Sequence, residues 1–185
     1  FFIEEFIKSL KDLGVIERKD NRYRLVKGLQ DVTIPSTIQD IIMARVDSLA
    51  EGVKSLLHTV SAIGREFSYY LIKRVTNITE QELLSQLSVL KDSELLYERG
   101  IYPESTYIFK HALTQEVAYD SLLLKRRKKI HEQVGTAIEA LYPDRLEEHS
   151  ELLAYHYARS TNTEKALKYL DLANQKTAKL NAMEE

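Results

Sequence analysis

Between Tyr107 and Tyr119 the apolar pattern changes its period without an intervening turn. Tyr107 and Phe109 alternate with Ile108, the spacing of a strand, whereas Leu113, Val117 and Leu124 recur at helical spacing. The stretch therefore reads as a β-strand running without a loop into a helix, with His111 at the junction. A histidine at such a corner, near the free N–H groups of a first helical turn, is placed to meet an anion such as a phosphate. The plainer reading is that it hydrogen-bonds nearby backbone.

Phe109-Lys110-His111-Ala112-Leu113 followed by Val117-Ala118 resembles the segment that ends the winged-helix domain of signal-transducing P-loop ATPases, the STAND class. In plant resistance proteins and apoptotic regulators of that class this segment carries a Met-His-Asp motif whose histidine contacts the β-phosphate of ADP. The bacterial branch fused to class III adenylate cyclases or serine/threonine kinases is the closer likeness. Its Phe-x-His-Ala-Leu-x-x-Glu-Val-Ala-Tyr pattern stands here at Phe109 and from His111 to Tyr119. Lys110 and Ala112 replace the Met and Asp of the eukaryotic motif, so any role of that aspartate is missing. The resemblance implies that His111 senses ADP phosphate in a larger parent protein.

Bulk properties set the frame for such a part. A chain of 185 residues, 44% hydrophobic, holds one large domain or two small ones with a real core. Its 26 Lys plus Arg against 28 Asp plus Glu give a net charge of −2, so no global field draws it to nucleic acid or anionic membrane. The absence of cysteine removes disulfides, thiolate chemistry and the commonest structural zinc sites. No apolar run approaches the roughly 20 residues of a membrane span, and no signal peptide is visible, so a cytoplasmic location without membrane partners is expected. Phe1 opens in a helical pattern and Leu180 to Glu185 are still helical in character, which suggests a piece of a longer protein.

In chain order, Ile3, Phe6, Ile7, Leu10 and Leu13 predict a helix over 1–13 that Gly14 stops. A hairpin is expected over 15–25 with a polar turn at Lys19-Asp20-Asn21. In the STAND-like family a Gly-Asn-Pro precedes Phe-Phe-Ile-Glu-Glu, so the resemblance places the nucleotide-binding domain upstream of Phe1. No Gly-x-x-x-x-Gly-Lys-Ser/Thr occurs, and these residues are not expected to hydrolyse ATP or to act as an enzyme. Ser36 and Gln39 have capping-box spacing ahead of a helix whose stripe is Ile38, Ile41, Ile42, Val46 and Leu49. Family members share Ile-Pro-x-Thr-Ile-Gln, Ala44-Arg45-x-Asp47-x-Leu49 and Ala62-x-Gly64-Arg65-x-Phe67. Arg45 and Asp47 are either switch residues or a solvated helix face.

From Val53 to Phe109 the pattern gives helix, helix, helix, hairpin, the order of a winged helix. Val53 to Val60 marks the first helix, ended near Gly64, and residues 68–75 the second. The third begins at Thr79, with a capping-box partner at Glu82, an Ile78–Leu83 staple and Leu83, Leu84, Leu87 and Leu90 toward the core. Leu95 to Arg99 and Ser105 to Phe109 pair as the wing across Gly100 to Glu104. In a DNA-binding winged helix the third helix enters the major groove and carries cations. Here Glu80, Gln81, Glu82, Ser85, Gln86 and Ser88 occupy its exposed face, so the domain reads as one that packs against protein.

The basic run Lys125-Arg126-Arg127-Lys128-Lys129 points in all directions around a helix and marks a helix boundary with solvated ends. Its functional reading pairs Arg126 or Arg127 with an acidic partner or with nucleotide phosphate across a domain interface. Three helices follow: Ile130, Val134, Ile138 and Leu141, broken by Pro143; Leu146, Leu153 and Tyr157; and, capped by Thr163, Ala166, Leu170, Ala173, Thr177 and Leu180. Glu164 to Leu170 resembles the opening of a tetratricopeptide helix, which suggests the start of a helical-repeat array. His149 and His156, seven apart, read as packing or surface residues with no third ligand at metal spacing, and His58 and His131 find no partner either. No metal site and no catalytic residue is expected.

The expected fold class is mainly α: a winged-helix domain with a small β-hairpin wing, followed by an α-α helical-repeat segment. Residues 1–47 read as the tail of an ATPase helical subdomain with its short hairpin, 48–124 as the winged helix and 125–185 as the tetratricopeptide-like segment. The function expected is a non-catalytic regulatory and protein-interaction module of a nucleotide-switched signalling ATPase. It would hold no cofactor itself, while ADP or ATP with Mg would bind the parent's ATPase domain. Its partners would be that domain and proteins that dock on the repeats. A winged-helix transcription regulator that binds DNA is the alternative.

Overall fold

The computed structural model describes residues 37–181 without a break, together with 14–19, 22–26 and, further upstream, Ile3, Ile7, Leu10 and Lys11. The chain is mainly helical, with two small antiparallel sheets among the described residues. Of the first expected stripe, Ile3, Ile7 and Leu10 lie in helix, while Phe6 and Leu13 fall outside the described residues, as do the Asp20-Asn21 turn, Pro35 and Ser36. Gly14 closes that helix at φ +63: its N–H donates to the Lys11 carbonyl and the Val15 N–H to Leu10. These are the two hydrogen bonds of a Schellman stop, which needs the left-handed backbone that glycine adopts without strain. β1 (Ile16–Lys19) and β2 (Arg22–Leu25) then pair with Lys19 opposite Arg22.

Helix α1 (Ile38–Asp47) buries Ile41, Ile42 and Val46 and half-buries Ile38 and Leu49. Its capping box sits one residue later than the expected Ser36–Gln39 pair. Thr37 Oγ1 accepts the Asp40 N–H at 3.1 Å, and the Asp40 carboxylate accepts the Thr37 N–H at 3.2 Å. Threonine and aspartate serve the motif as well as serine and glutamine, so spacing alone could not choose between the two registers. Helix α2 (Glu51–Ile63) follows and ends at Gly64.

A strand that the apolar pattern did not announce comes next, β3 (Glu66–Ser68), before α3 (Tyr69–Thr76) and α4 (Glu80–Asp92). β4 (Leu96–Arg99) and β5 (Thr106–Phe109) form the expected hairpin, and β3 joins it on the far side of β5. Phe67 lies opposite Tyr107, their rings stacked at 6.4 Å, and Leu96 lies opposite Phe109. Along α4, Leu83, Leu87 and Leu90 are buried as expected, whereas Leu84 is 36% exposed. Thr79 Oγ1 accepts the Glu82 N–H at 3.3 Å, and the Glu82 carboxylate takes the Gln86 amide.

Helix α5 (Ala112–Asp120) leaves the sheet after two residues, and α6 (Leu124–Leu141) packs across α2 and α3. A 3-10 turn at Pro143–Arg145 leads to α7 (Ser150–Ala158) and α8 (Thr163–Asn181), which form a helical hairpin against the C-terminal half of α6. Asn162, not Thr163, caps α8: its Oδ1 accepts the Lys165 N–H at 3.1 Å. The buried stripe of α8 is Ala166 and Tyr169, while Leu170 is 44% exposed. At Gly135 a Cβ would meet the Tyr157 ring at 2.7 Å, so α6 needs a glycine there for α7 to come this close. One apolar core runs from Ile42 through the sheet to Tyr169.

Candidate functional site

Phe109, fully buried on the central strand, fixes the position of the corner that follows it. Its N–H donates to the Arg65 carbonyl at 2.9 Å, and the next amide, of Lys110, donates to Leu95 at 3.0 Å. His111 then stands at the N-cap of α5 in extended backbone, φ −132 and ψ 135, half-buried. Its carbonyl accepts the Thr114 N–H at 3.1 Å, while its ring makes no capping hydrogen bond to its own helix. The first turn of α5 carries no acidic residue, so its N–H groups present positive potential beside the imidazole. Gln115 ties the helix down, its amide donating to the Ser61 carbonyl of α2 at 2.6 Å. Lys110 pairs with Glu94 across the strand end.

Arg126 and Arg127 lie at the opposite end of α5. Nine residues at 1.5 Å each separate His111 from Asp120, about 13 Å along the helix axis. Arg127 Nη2 donates to the Asp120 carbonyl at 2.6 Å and its Nε to the Leu122 carbonyl at 3.0 Å, which satisfies carbonyls left open where α5 ends. Its guanidinium also stacks on the Tyr119 ring at 4.5 Å. Arg126 donates to Ser55 Oγ of α2 at 2.8 Å. The structure does not gather these arginines around His111. The remaining cations of the run, Lys125, Lys128 and Lys129, are exposed, as a helix boundary with solvated ends requires.

Arg45 departs from the solvated-face alternative. It is buried, and its Nη2 donates to the Ser93 carbonyl, at the end of α4, at 2.6 Å. Asp47 does face solvent, in an ion pair with Lys54.

Two polar clusters escaped sequence reasoning. Glu80, at the start of α4, accepts from Lys73 at 2.8 Å, from Tyr69 at 3.2 Å and from Tyr102 in the β4–β5 loop. The Lys73 hydrogen bond, then those of the two tyrosines, holds its carboxyl down at about 2. This carboxylate, expected only as part of the exposed face of the third helix, fastens the hairpin loop to α4. In the second cluster Glu139 of α6 accepts from Tyr169 at 2.6 Å, Lys165 at 2.6 Å and Tyr157 at 2.8 Å. It thereby joins all three C-terminal helices.

Three of the histidines also have hydrogen-bond partners that spacing in the sequence did not reveal. His58 meets Ser121 Oγ at 3.0 Å, and His131 meets both His156 and Tyr119, each at 2.9 Å. The signal was present: His131 shares the stripe of Val134 and Ile138 at spacings of three and seven, and His156 follows Leu153 by three. Among the described residues no group of three or more metal-ligating side chains converges, and no helix is long and apolar enough to cross a membrane. An open groove of about 490 Å³ between the end of α3 and α6 is bordered by Arg74, Lys129 and Glu132, mixed charge that favours neither anion nor cation.

Compared with protein-family models, with curated proteins and with solved structures, the chain matches none.

Proposed function

We propose that this chain is a non-catalytic regulatory and protein-interaction module of a larger nucleotide-switched signalling ATPase, coupling nucleotide state to an effector such as a cyclase or kinase. The observation that carries the reading is the position of His111. It stands where the central strand turns into α5, half-buried beside helix N–H groups, where a phosphate of ADP held by a neighbouring domain would be received. In this reading α2 to β5 form a winged helix, supported by the order helix, strand, helix, helix, hairpin and by β5 lying between β3 and β4. The helical segment over 125–185 begins a tetratricopeptide-like array that receives protein partners. Leu152, Tyr155, Leu167 and Leu170 offer it apolar surface for that purpose.

The transcription-regulator reading is weakened by α4. Glu80, Glu82 and Asp92 are exposed on the helix that would enter the groove, and Lys91 is engaged with Glu98. In the module joined to its ATPase domain, which would hold ADP or ATP with Mg, His111→Ala is expected to release ADP at least tenfold faster. Measuring the decay of bound fluorescent ADP checks this, and an unchanged release rate would remove His111 from the nucleotide site.

A further inference from the structure

Where α6 meets α5 on one side and α7 on the other, three polar rings form a chain whose two imidazoles are closed off from water. His156 Nδ1 and His131 Nδ1 are 2.9 Å apart, and His131 Nε2 is 2.9 Å from Tyr119 Oη. Both imidazoles have 0% of their surface exposed. The outer nitrogen of the chain, His156 Nε2, is buried and meets no hydrogen-bonding atom among the described residues.

Counting protons shows what this arrangement tolerates. A neutral pair carries two. One occupies the Nδ1–Nδ1 contact, donated by His156 to His131, and the other sits on His131 Nε2 and is donated to Tyr119 Oη. Only a lone pair is then left at His156 Nε2, which costs less than an orphaned N–H. A third proton cannot enter the Nδ1–Nδ1 contact, because two N–H groups would face each other at 2.9 Å. It has to go to His156 Nε2, where it finds no acceptor.

The charged surroundings act in the same direction. α6 brings Arg127, and α7 brings Arg159, stacked on Tyr155 at 3.8 Å, with Tyr155 itself edge-on to both imidazoles. From α5 come Tyr119 and Asp120, the latter paired with Arg127 at 3.3 Å. Glu132, next to His131 on α6, turns away to Thr161, and on α8 Lys165 is committed to Glu139. His58 of α2, the other histidine at this end of α5, is itself pushed down by burial and by Arg126.

We propose that the His156–His131–Tyr119 chain is a proton-operated latch: it holds the α7–α8 hairpin on α6 while its two imidazoles carry two protons between them, and releases the hairpin when they take up a third. Burial first, and then Arg159 and Arg127, keep His131 down to about 4; burial, His131 and Arg159 keep His156 down to about 3. In the released hairpin both return to their ordinary value of 6.5. The closed state is therefore fully favoured above 6.5 and loses ground as pH falls below it. The third proton raises the opening constant about tenfold per pH unit, and once both imidazoles of the released hairpin are protonated the slope approaches about a hundredfold.

The test is amide hydrogen exchange on the whole chain from pH 7.5 to 5, corrected for intrinsic exchange. Amides of α7 and α8 are expected to lose protection at least tenfold more than those of α2 and α4, and His131→Leu/His156→Leu should abolish the difference. Should that variant fail to fold, nitrogen-15 spectra of the wild-type imidazoles decide. Both rings staying neutral as long as the hairpin is closed supports the latch. Titration near 6.5 with α7 and α8 still protected, or protection that does not change with pH, would overturn it.

Discussion

Phe109→Ala is expected to destabilise the fold by about 3–5 kcal/mol, the range for emptying a buried aromatic site. Phe109 is fully buried, meets Phe67 edge-on at 6.0 Å and lies opposite Leu96, so both neighbouring strands lose contacts at once. Its neighbours are strands and helix ends fixed by backbone hydrogen bonds, and they can collapse only partly into the cavity. For a domain of this size the loss corresponds to roughly 10 °C in Tm. Because Phe109 sets the corner, His111 should also become more exposed. Thermal melts check the first effect, and the exchange rates of the Lys110 and Ala112 amides check the second. A melting point within 2 or so degrees of wild type, on the order of 1 kcal/mol or less, would show that the strand is not the anchor.

Glu139→Ala is expected to cost about 3 kcal/mol, because two buried tyrosine hydroxyls and the Lys165 ammonium lose one common acceptor. The Tyr157 and Tyr169 rings are stacked at 5.6 Å and 7° between planes, which holds both hydroxyls on the Glu139 side. Glu139→Gln keeps an acceptor but no charge and should lose roughly half as much. Urea unfolding of the two variants separates these effects. Burial tends to raise the Glu139 carboxyl, but the hydrogen bonds from Lys165, Tyr169 and Tyr157 outweigh it and the net shift is downward. Its contribution is thus present above the ordinary value of 4.5 and lost as pH falls further. The two histidines act over a higher window, from 6.5 downward, at about 1.4 kcal/mol per pH unit each. The two groups can accordingly be told apart by where the stability curve bends.

Long periodic segments were legible because burial imposes their spacing. The stripes of α1, α2 and α6, the stop at Gly14 and the β4–β5 hairpin all follow from positions in the sequence alone. What stayed hidden depended on partners distant in sequence. β3 has three residues, too few for a period, and exists because Tyr107 lies ready to pair with Phe67. Arg45 looks like a surface cation until the Ser93 carbonyl is brought to it. On α8, Leu170 and Tyr169 are neighbours, and hydropathy favours the leucine; the hairpin buries the tyrosine because Glu139 receives its hydroxyl. His111 was legible as a corner residue, since the change of period marks the corner itself. That Arg126 and Arg127 stand at the other end of α5 was not, because a basic run carries no signal of what it caps.

The identity of the partner surface is open to one direct measurement: titration of the whole chain against a labelled duplex at about 50 mM and about 150 mM salt, a range over which phosphate-driven binding weakens steeply. With carboxylates on the exposed face of α4, the chain should show at most weak binding at the lower salt and none at the higher. Binding that survives the higher salt and is lost when Lys125, Lys128 and Lys129 are changed to glutamine would contradict the protein-interaction reading and make the basic run a nucleic-acid footprint.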